Sequence, residues 1–412
     1  MFLINYMKNF LFCFIFMLAA FAVPSVSQTT NPKAVVEFLN RIGGSGAADK
    51  FVIVVDEKLS TDGSDVFVIT AQEAKPCIKA NSVLSAATGV NWYLNHYAHV
   101  NLAWNNLTID LAAVALPVPT GEERRVSTAD YRYYFNYCTF SYSMAFWTWE
   151  RWQQEIDWMA LHGINMPLQI VGLEVLWRNI LKDSRIGYTD KEIADFIAGP
   201  GFMAWFAMNN LEGWGGTINA ADVKMNGNPE WWYTRQEQLC KDILSRMREL
   251  GMQPALPGFS GMVPNSMSSK SISGINRGDI INSGTWAGGY TRPDILNPAS
   301  SSFDYMAKIY YEHLHKLMGV SEFYSMDPFH EGGLPGGVTN SSCYPGVMEA
   351  LDTYYAAVPA DEKSANNVPE KAKWVIQYWQ GLPQQGAFDV MDDKYGDRFI
   401  ALDLFSDAQG KA

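Results

Sequence analysis

Between residues 30 and 115 the apolar positions fall in short β-rich runs separated by turn residues. Phe51–Val55 (FVIVV) and Asp65–Thr70 (DVFVIT) predict strands. Asn81–Tyr97 predicts a helix, with Leu84, Val90 and Leu94 among its apolar positions. The stretch 28–115 therefore reads as a small α/β domain. Residues 116–126 (LPVPTGEERRV) combine two prolines, a glycine and a charge run, which marks a linker extending to about 128.

From Tyr131 the pattern changes to strand, helix, strand, helix. Arg132–Cys138 is an aromatic strand, followed by a helix over 149–162 that carries Trp152, Ile156 and Met159 on one face and stops at Gly163. Asn165–Ile170 is a second strand, and a long helical region follows through 190–209. The helix at 231–250 places Leu239, Ile243, Met247 and Leu250 at helical spacing and closes at Gly251. Further strands are predicted at 252–257, 322–327, 373–379 and 398–404, with Pro254 interrupting the first of these. Helices at 301–318 and 345–358 separate the later strands. Alternation of this kind gives a parallel sheet covered by helices. Periodicity does not separate a barrel from an open doubly wound sheet, but no Gly-rich phosphate turn follows the first strand, against the dinucleotide version. About six βα strands are legible where a closed (β/α)8 barrel has eight.

Charge and compartment narrow the function. A formal charge of −12 argues against nucleic acid, whose phosphates demand a basic surface. Lys8, the apolar run 9–23 and Ser25-Val26-Ser27 make residues 1–27 a signal peptide, so the chain is expected outside the cytoplasm. The run is too short to span a membrane comfortably, and no later segment is long enough. Cys77, Cys138, Cys240 and Cys343 are widely spaced, and their pairing cannot be deduced from that spacing. His96, His99, His162, His313, His315 and His330 fall in no metal-ligand pattern, so no cofactor or metal is expected. Nothing in the pattern sets an oligomeric state.

In a parallel barrel, reactive groups project from the C-terminal ends of strands. The strand at 322–327 runs out as DPFHEGG, and Glu331 is the candidate general acid/base. A carboxyl at the mouth of an aromatic pocket has its ionised form disfavoured, so it can hold a proton near neutral pH. Asp327 is expected to bond backbone groups at the top of the barrel, as a buried carboxylate needs partners. The first strand ends in NYCTFSYSMAFW (136–147), where Asn136, Cys138 and Tyr142 mix short polar groups with a ring, as sugar sites do. A nucleophilic Cys138 competes with a contact role, but no histidine is near it in sequence. Trp214, Trp286 and Trp379 lie in or beside glycine-containing loops and are candidates for the same site, whereas Trp149, Trp152 and Trp158 lie on a helix, where core packing is the default.

Taken together, NYCTFSYSMAFWTWERWQQEIDWMALHGIN (136–165), GLEVLW (172–177), GPGFMAW (199–205), NLEGWGG (210–216), LPGFSGMVP (256–264) and DPFHE (327–331) resemble the signature of the α-N-acetylglucosaminidases, glycoside hydrolase family 89. The resemblance covers Tyr131 to the end and, more weakly, the leading domain. It implies a small N-terminal α/β domain, a (β/α)8 TIM barrel and an all-α C-terminal domain. It also implies retaining, metal-free, exo-removal of terminal α-linked N-acetylglucosamine from glycans. It assigns the acid/base to Glu331, sugar contacts to Asn136, Cys138, Tyr142, Trp214, Trp286 and Trp379, and a contact of less defined role to Glu174. The family's nucleophile glutamate, the last barrel strands and the helical domain would lie beyond Ala412. The 412-residue chain is thus expected as a truncated member over 129–412, with an inactive fragment or weak carbohydrate-binding module as the alternative.

Overall fold

The structure, a computed structural model, describes residues 29–213, 217–220, 223–327, 338–378 and 384–404. The chain divides into two compact units, Met1–Asp130 and Tyr131–Ala412.

In the first unit, β1 (Thr29–Thr30), β2 (Val52–Val55), β3 (Val66–Gln72), β4 (Lys75–Ala80) and β5 (Glu123–Val126) form one sheet in the order β1-β2-β4-β3-β5. Only β2 and β4 run parallel. The helix Val83–His96 is capped by Ser82, whose hydroxyl accepts from the Ser85 N–H at 3.0 Å, and it buries Leu84, Val90 and Leu94. Two strands depart from the sequence reading. β4 (KPCIKA) has lysines at its ends and a proline inside, yet Cys77, Ile78 and Ala80 are buried in the centre of the sheet. Residues 123–126, read as linker, are an edge strand paired with β3 from Val66↔Val126 to Ile69↔Glu123. A charged edge has no apolar alternation to read, and it protects the sheet from further pairing.

In the second unit the parallel strands are β6 (Tyr133–Tyr134), β7 (Met166–Pro167), β8 (Ala255–Pro257), β9 (Phe323–Ser325), β10 (Lys373–Tyr378) and β11 (Phe399–Asp403), with short antiparallel pairs in the connections between them. β6 and β7 pair in parallel, Leu168 bridges to Ala255 in parallel, and β8 to β11 form a parallel sheet in sequence order. Each strand thus lies beside the next one in the chain, the succession of a (β/α) barrel. Their C-terminal ends share one rim.

Helices Trp149–Leu161, Leu173–Lys182, Glu230–Glu249, Ser301–Met318 and Asn340–Ala357 pack around these strands. Trp177 is 2% exposed and meets Phe196, Phe206 and Tyr310 edge-on, at centroid distances of 5.4, 6.5 and 5.6 Å. Three further readings need correction. The strand predicted to reach Cys138 stops at Tyr134, because Phe135 adopts φ +76° and Asn136 starts the helix Tyr137–Tyr142. The helical region 190–209 breaks into Asp190–Phe196, Pro200–Phe202 and Met203–Ala207, since the Pro200 ring cannot continue a helix across it. Leu173–Lys182 is a helix that the sequence reading left out; its mostly apolar residues are buried.

Among the described residues no helix is long and apolar enough to cross a membrane. Cys77, Cys138, Cys240 and Cys343 form no disulfide. Removing the largest side chain of the helical layer should leave a cavity that neighbours cannot fill. Trp177→Ala is expected to lower stability by about 3–5 kcal/mol, read as an earlier urea midpoint of the second unit.

Candidate functional site

The site begins where β6 turns. Asn136 caps the helix Tyr137–Tyr142: its side-chain oxygen accepts from the Thr139 N–H at 3.1 Å, while the Thr139 hydroxyl donates to the Asn136 carbonyl at 2.7 Å. With that oxygen engaged, the side-chain N–H2 is the group Asn136 has to offer a ligand. Cys138 sits in the first turn of this helix, partly exposed. Ser141 accepts from the Ala204 N–H at 2.9 Å and so fastens the helix to Met203–Ala207. Tyr142 is 74% exposed and meets Trp205 edge-on at 5.4 Å. Trp205 lies 6.4 Å from Trp286, and Trp286 lies 6.3 Å from Tyr290. Tyr142 and Trp286, singled out separately in the sequence, therefore join one row of rings through Trp205, which was not.

Beside this row the strand ends are stitched together by buried polar groups. Asp327, 2% exposed, follows β9 and accepts two bonds from Gln377 on β10. The Gln377 backbone N–H donates at 2.9 Å and its side-chain amide at 3.0 Å. Asn209, buried at φ +61°, donates to the Asp327 carbonyl at 3.2 Å and to the Ser260 hydroxyl at 3.0 Å. Arg292 donates to the Asn209 carbonyl at 3.3 Å. Below Asp327, Trp374 donates to the Met326 carbonyl at 2.8 Å, and Tyr137 to the Ser325 hydroxyl at 2.9 Å. Gly258 lets β8 approach closely, since a Cβ there would lie 2.4 Å from the Met326 side chain. The expected backbone-bonding role of Asp327 matches this geometry.

Glu331, Trp214 and Trp379 lie outside the described residues. The residues that lead into them do not. Asp327 leads to Glu331, Asn209 to Trp214 and Gln377 to Trp379, and Asp327 is hydrogen-bonded to both of the others. Their bonds span 118 and 50 positions of sequence, so local pattern carries no sign of them.

Glu174 stands apart. Its carboxylate accepts from the Trp232 indole N–H at 2.9 Å, and burial pushes its pKa upward. It borders a separate cavity of about 30 Å³ among Phe140, Trp152 and Trp232. Glu212, which sequence reasoning missed, lies within NLEGWGG. It accepts from the Asn265 N–H at 3.2 Å, and burial, with Asp294 and Asp195 adding repulsion, pushes its pKa up to about 8. A glutamate two residues ahead of a candidate tryptophan was the available signal. Among the described residues no three His, Cys, Asp or Glu side chains group as metal ligands.

Residues 132–411 match the family described as "Alpha-N-acetylglucosaminidase (NAGLU) tim-barrel domain", and residues 33–118 match its N-terminal domain. The chain belongs to the α-N-acetylglucosaminidase family. It is 31% identical over 388 residues to human alpha-N-acetylglucosaminidase, covering 91% of this chain and 48% of that protein. It is also similar to the Family 89 Glycoside Hydrolase from Clostridium perfringens in complex with 2-acetamido-1,2-dideoxynojirmycin. That match has TM-score 0.75 and 30% identity over 91% of this chain and 39% of the other. The same bacterial enzyme in complex with its substrate GlcNAc-alpha-1,4-galactose matches with TM-score 0.74. The chain thus spans about half the length of its human relative, and its fold is the family's N-terminal domain followed by a TIM barrel.

Burial pushes the Asp327 carboxyl up to about 7, with the two Gln377 bonds pulling it partly back. Three buried phenols, Tyr137, Tyr344 and Tyr133, lie within its electrostatic reach, and the Tyr133 hydroxyl has no hydrogen-bond partner among the described residues. The folded chain therefore binds this proton more tightly than the unfolded one. The stability it contributes is fully present below about pH 4 and is lost as pH rises through about 7. Asp327→Asn keeps an acceptor for the Gln377 N–H and, with the Gln377 amide flipped, a second bond. Thermal melts from pH 4 to 8 should show the wild-type decline, at most about 4 kcal/mol, flattened in this variant. An unchanged slope would move the titration to another group.

Proposed function

We propose that the chain carries the sugar-binding and proton-donating side of a retaining exo-α-N-acetylglucosaminidase. The observation that carries this reading is the pair of links from Asp327, to Asn209 on one side and to Gln377 on the other, which brings together the chain segments leading to Trp214, Glu331 and Trp379. The relatives support the substrate class, since the bacterial one takes GlcNAc-alpha-1,4-galactose.

In this reading Glu331 protonates the leaving glycosidic oxygen and, in the second half-reaction, removes a proton from the attacking water. A second carboxylate roughly 5 Å away attacks the anomeric carbon to give the glycosyl-enzyme, and the family resemblance assigns it to a later strand. Asn136 offers its amide N–H2 to a hydroxyl or acetamide oxygen. Tyr142, Trp286, Trp214 and Trp379 supply rings for the C–H faces of the sugar. Cys138, on the first turn of the Asn136-capped helix, packs against the same sugar. The ligand is a glycan ending in α-linked N-acetylglucosamine, met outside the cytoplasm after export on residues 1–27.

Release of aryl alcohol from an aryl α-N-acetylglucosaminide tests the assignment. In the protein that also carries that second carboxylate, Glu331→Gln should lower that rate by about 10³-fold. Calorimetric affinity for GlcNAc-α-1,4-galactose should stay within about twofold, because the amide keeps the shape and loses only the proton. Undiminished turnover would remove Glu331 from the chemistry. A protein that binds the disaccharide and releases no sugar is a carbohydrate-binding module instead.

A further inference from the structure

The first turn of the helix Glu230–Glu249 carries two tryptophans with opposite fates. Trp232 is 4% exposed and bonded to Glu174, whereas Trp231 is 61% exposed. An indole left largely in water on a well-packed unit is an informative exception. Trp231 forms one wall of a groove of about 820 Å³, with Trp149, at the start of Trp149–Leu161, also lining it. Glu150, Arg235, Gln238 and Asp242 line it too. Trp149 had been read as core; the structure places it in this lining, while Trp152 is the core residue at 1% exposure.

Rings lead from this groove part of the way to the strand-end site. Trp231 lies 5.8 Å from Trp232, and Trp232 lies 6.0 Å from Phe146, itself 68% exposed. Phe146 is four residues from Tyr142, which continues the row through Trp205 to Trp286. Exposed rings with carboxylates and amides between them match a sugar chain, whose C–H faces need flat apolar partners and whose hydroxyls need paired donors and acceptors. The charge selects among glycans. Glu230 is paired with Arg178, so Glu150 and Asp242 face the one guanidinium of Arg235, a lining without the excess of cations that a sulfated or phosphorylated polymer needs. Buried protein interfaces are depleted in such charges at their centre, which disfavours a second protein.

We propose that the Trp149–Trp231 groove is a second glycan-binding site for uncharged sugar residues. The exposed rings of Phe146, against Trp232, and Tyr142, against Trp205, stand four residues apart in the chain between it and the candidate active site, so that the preferred ligand is a neutral oligosaccharide longer than a disaccharide. The active-site end of that path rests on the functional reading above; the groove does not.

Calorimetry on the 412-residue chain tests it with three probes. These are GlcNAc-α-1,4-galactose, a neutral tetrasaccharide with that same end, and the trisaccharide lacking its terminal N-acetylglucosamine. The tetrasaccharide should bind about tenfold more tightly than the disaccharide. Trp231→Ala, at an exposed position that folding does not need, should erase that gain and leave the disaccharide affinity unchanged. Equal affinity for the two in the wild type, or an unaltered gain in Trp231→Ala, overturns the proposal. So does a Trp231→Ala change confined to a dimer-to-monomer shift in sedimentation, which would assign the face to a second copy. Tetrasaccharide and trisaccharide binding alike, both weakened by Trp231→Ala, would uphold the groove and overturn the functional reading. A chain that binds none of the three overturns both.

Discussion

A carboxyl group with almost no water contact must find its partners inside the protein, and the rim of this barrel is arranged around one that does. Asp327 has two acceptor oxygens, and both are met by one residue of the neighbouring strand. Leaving either unmet in such a place would cost on the order of 1–3 kcal/mol or more. The bonds therefore fix how β9 and β10 end relative to one another, and Asn209 extends the constraint across to Ser260. The loops above inherit fixed starting points. Precision at the sugar site is then a property of the strand ends beneath it, not of the loops alone.

The same tension between burial and satisfaction explains which parts of the fold could be read from the chain. Short apolar runs such as FVIVV and the strand at 373–378 are legible because burial on both faces leaves little else they could be. Helices with a clear apolar stripe, such as Glu230–Glu249 and Ser301–Met318, are legible for the same reason. β4 and β5 were not, since one carries lysines and a proline and the other is a charged edge. β5 takes its strand character from β3, distant in sequence, whereas β4 is set by β2 on one side and by a tight hairpin with β3 on the other. The break at Pro200 was written in the chain and went unused, whereas the turn at Phe135 sits on a residue type that gives no warning of positive φ.

The candidate site divides along a similar line. Asn136, Tyr142 and Trp286 are residues whose type suggests a sugar contact wherever they are found near a strand end. Asn209, Gln377 and Trp205 are not, because an asparagine or glutamine acquires its role only from the group it meets. Glu174 sits in a motif of the family, and its carboxylate accepts from an indole in the helical layer, a bond the sequence gives no sign of.

The close approach at Gly258 has a consequence for how this rim can change over time. An added methyl there would collide with Met326, the residue immediately before Asp327. A side chain at 258 therefore has to be matched by a move of the Met326 side chain or by a smaller residue there. The reverse change, a smaller side chain at 326, leaves a hole that a methyl at 258 would partly fill. The two positions are coupled, and a change at one alters which side chains the other can hold.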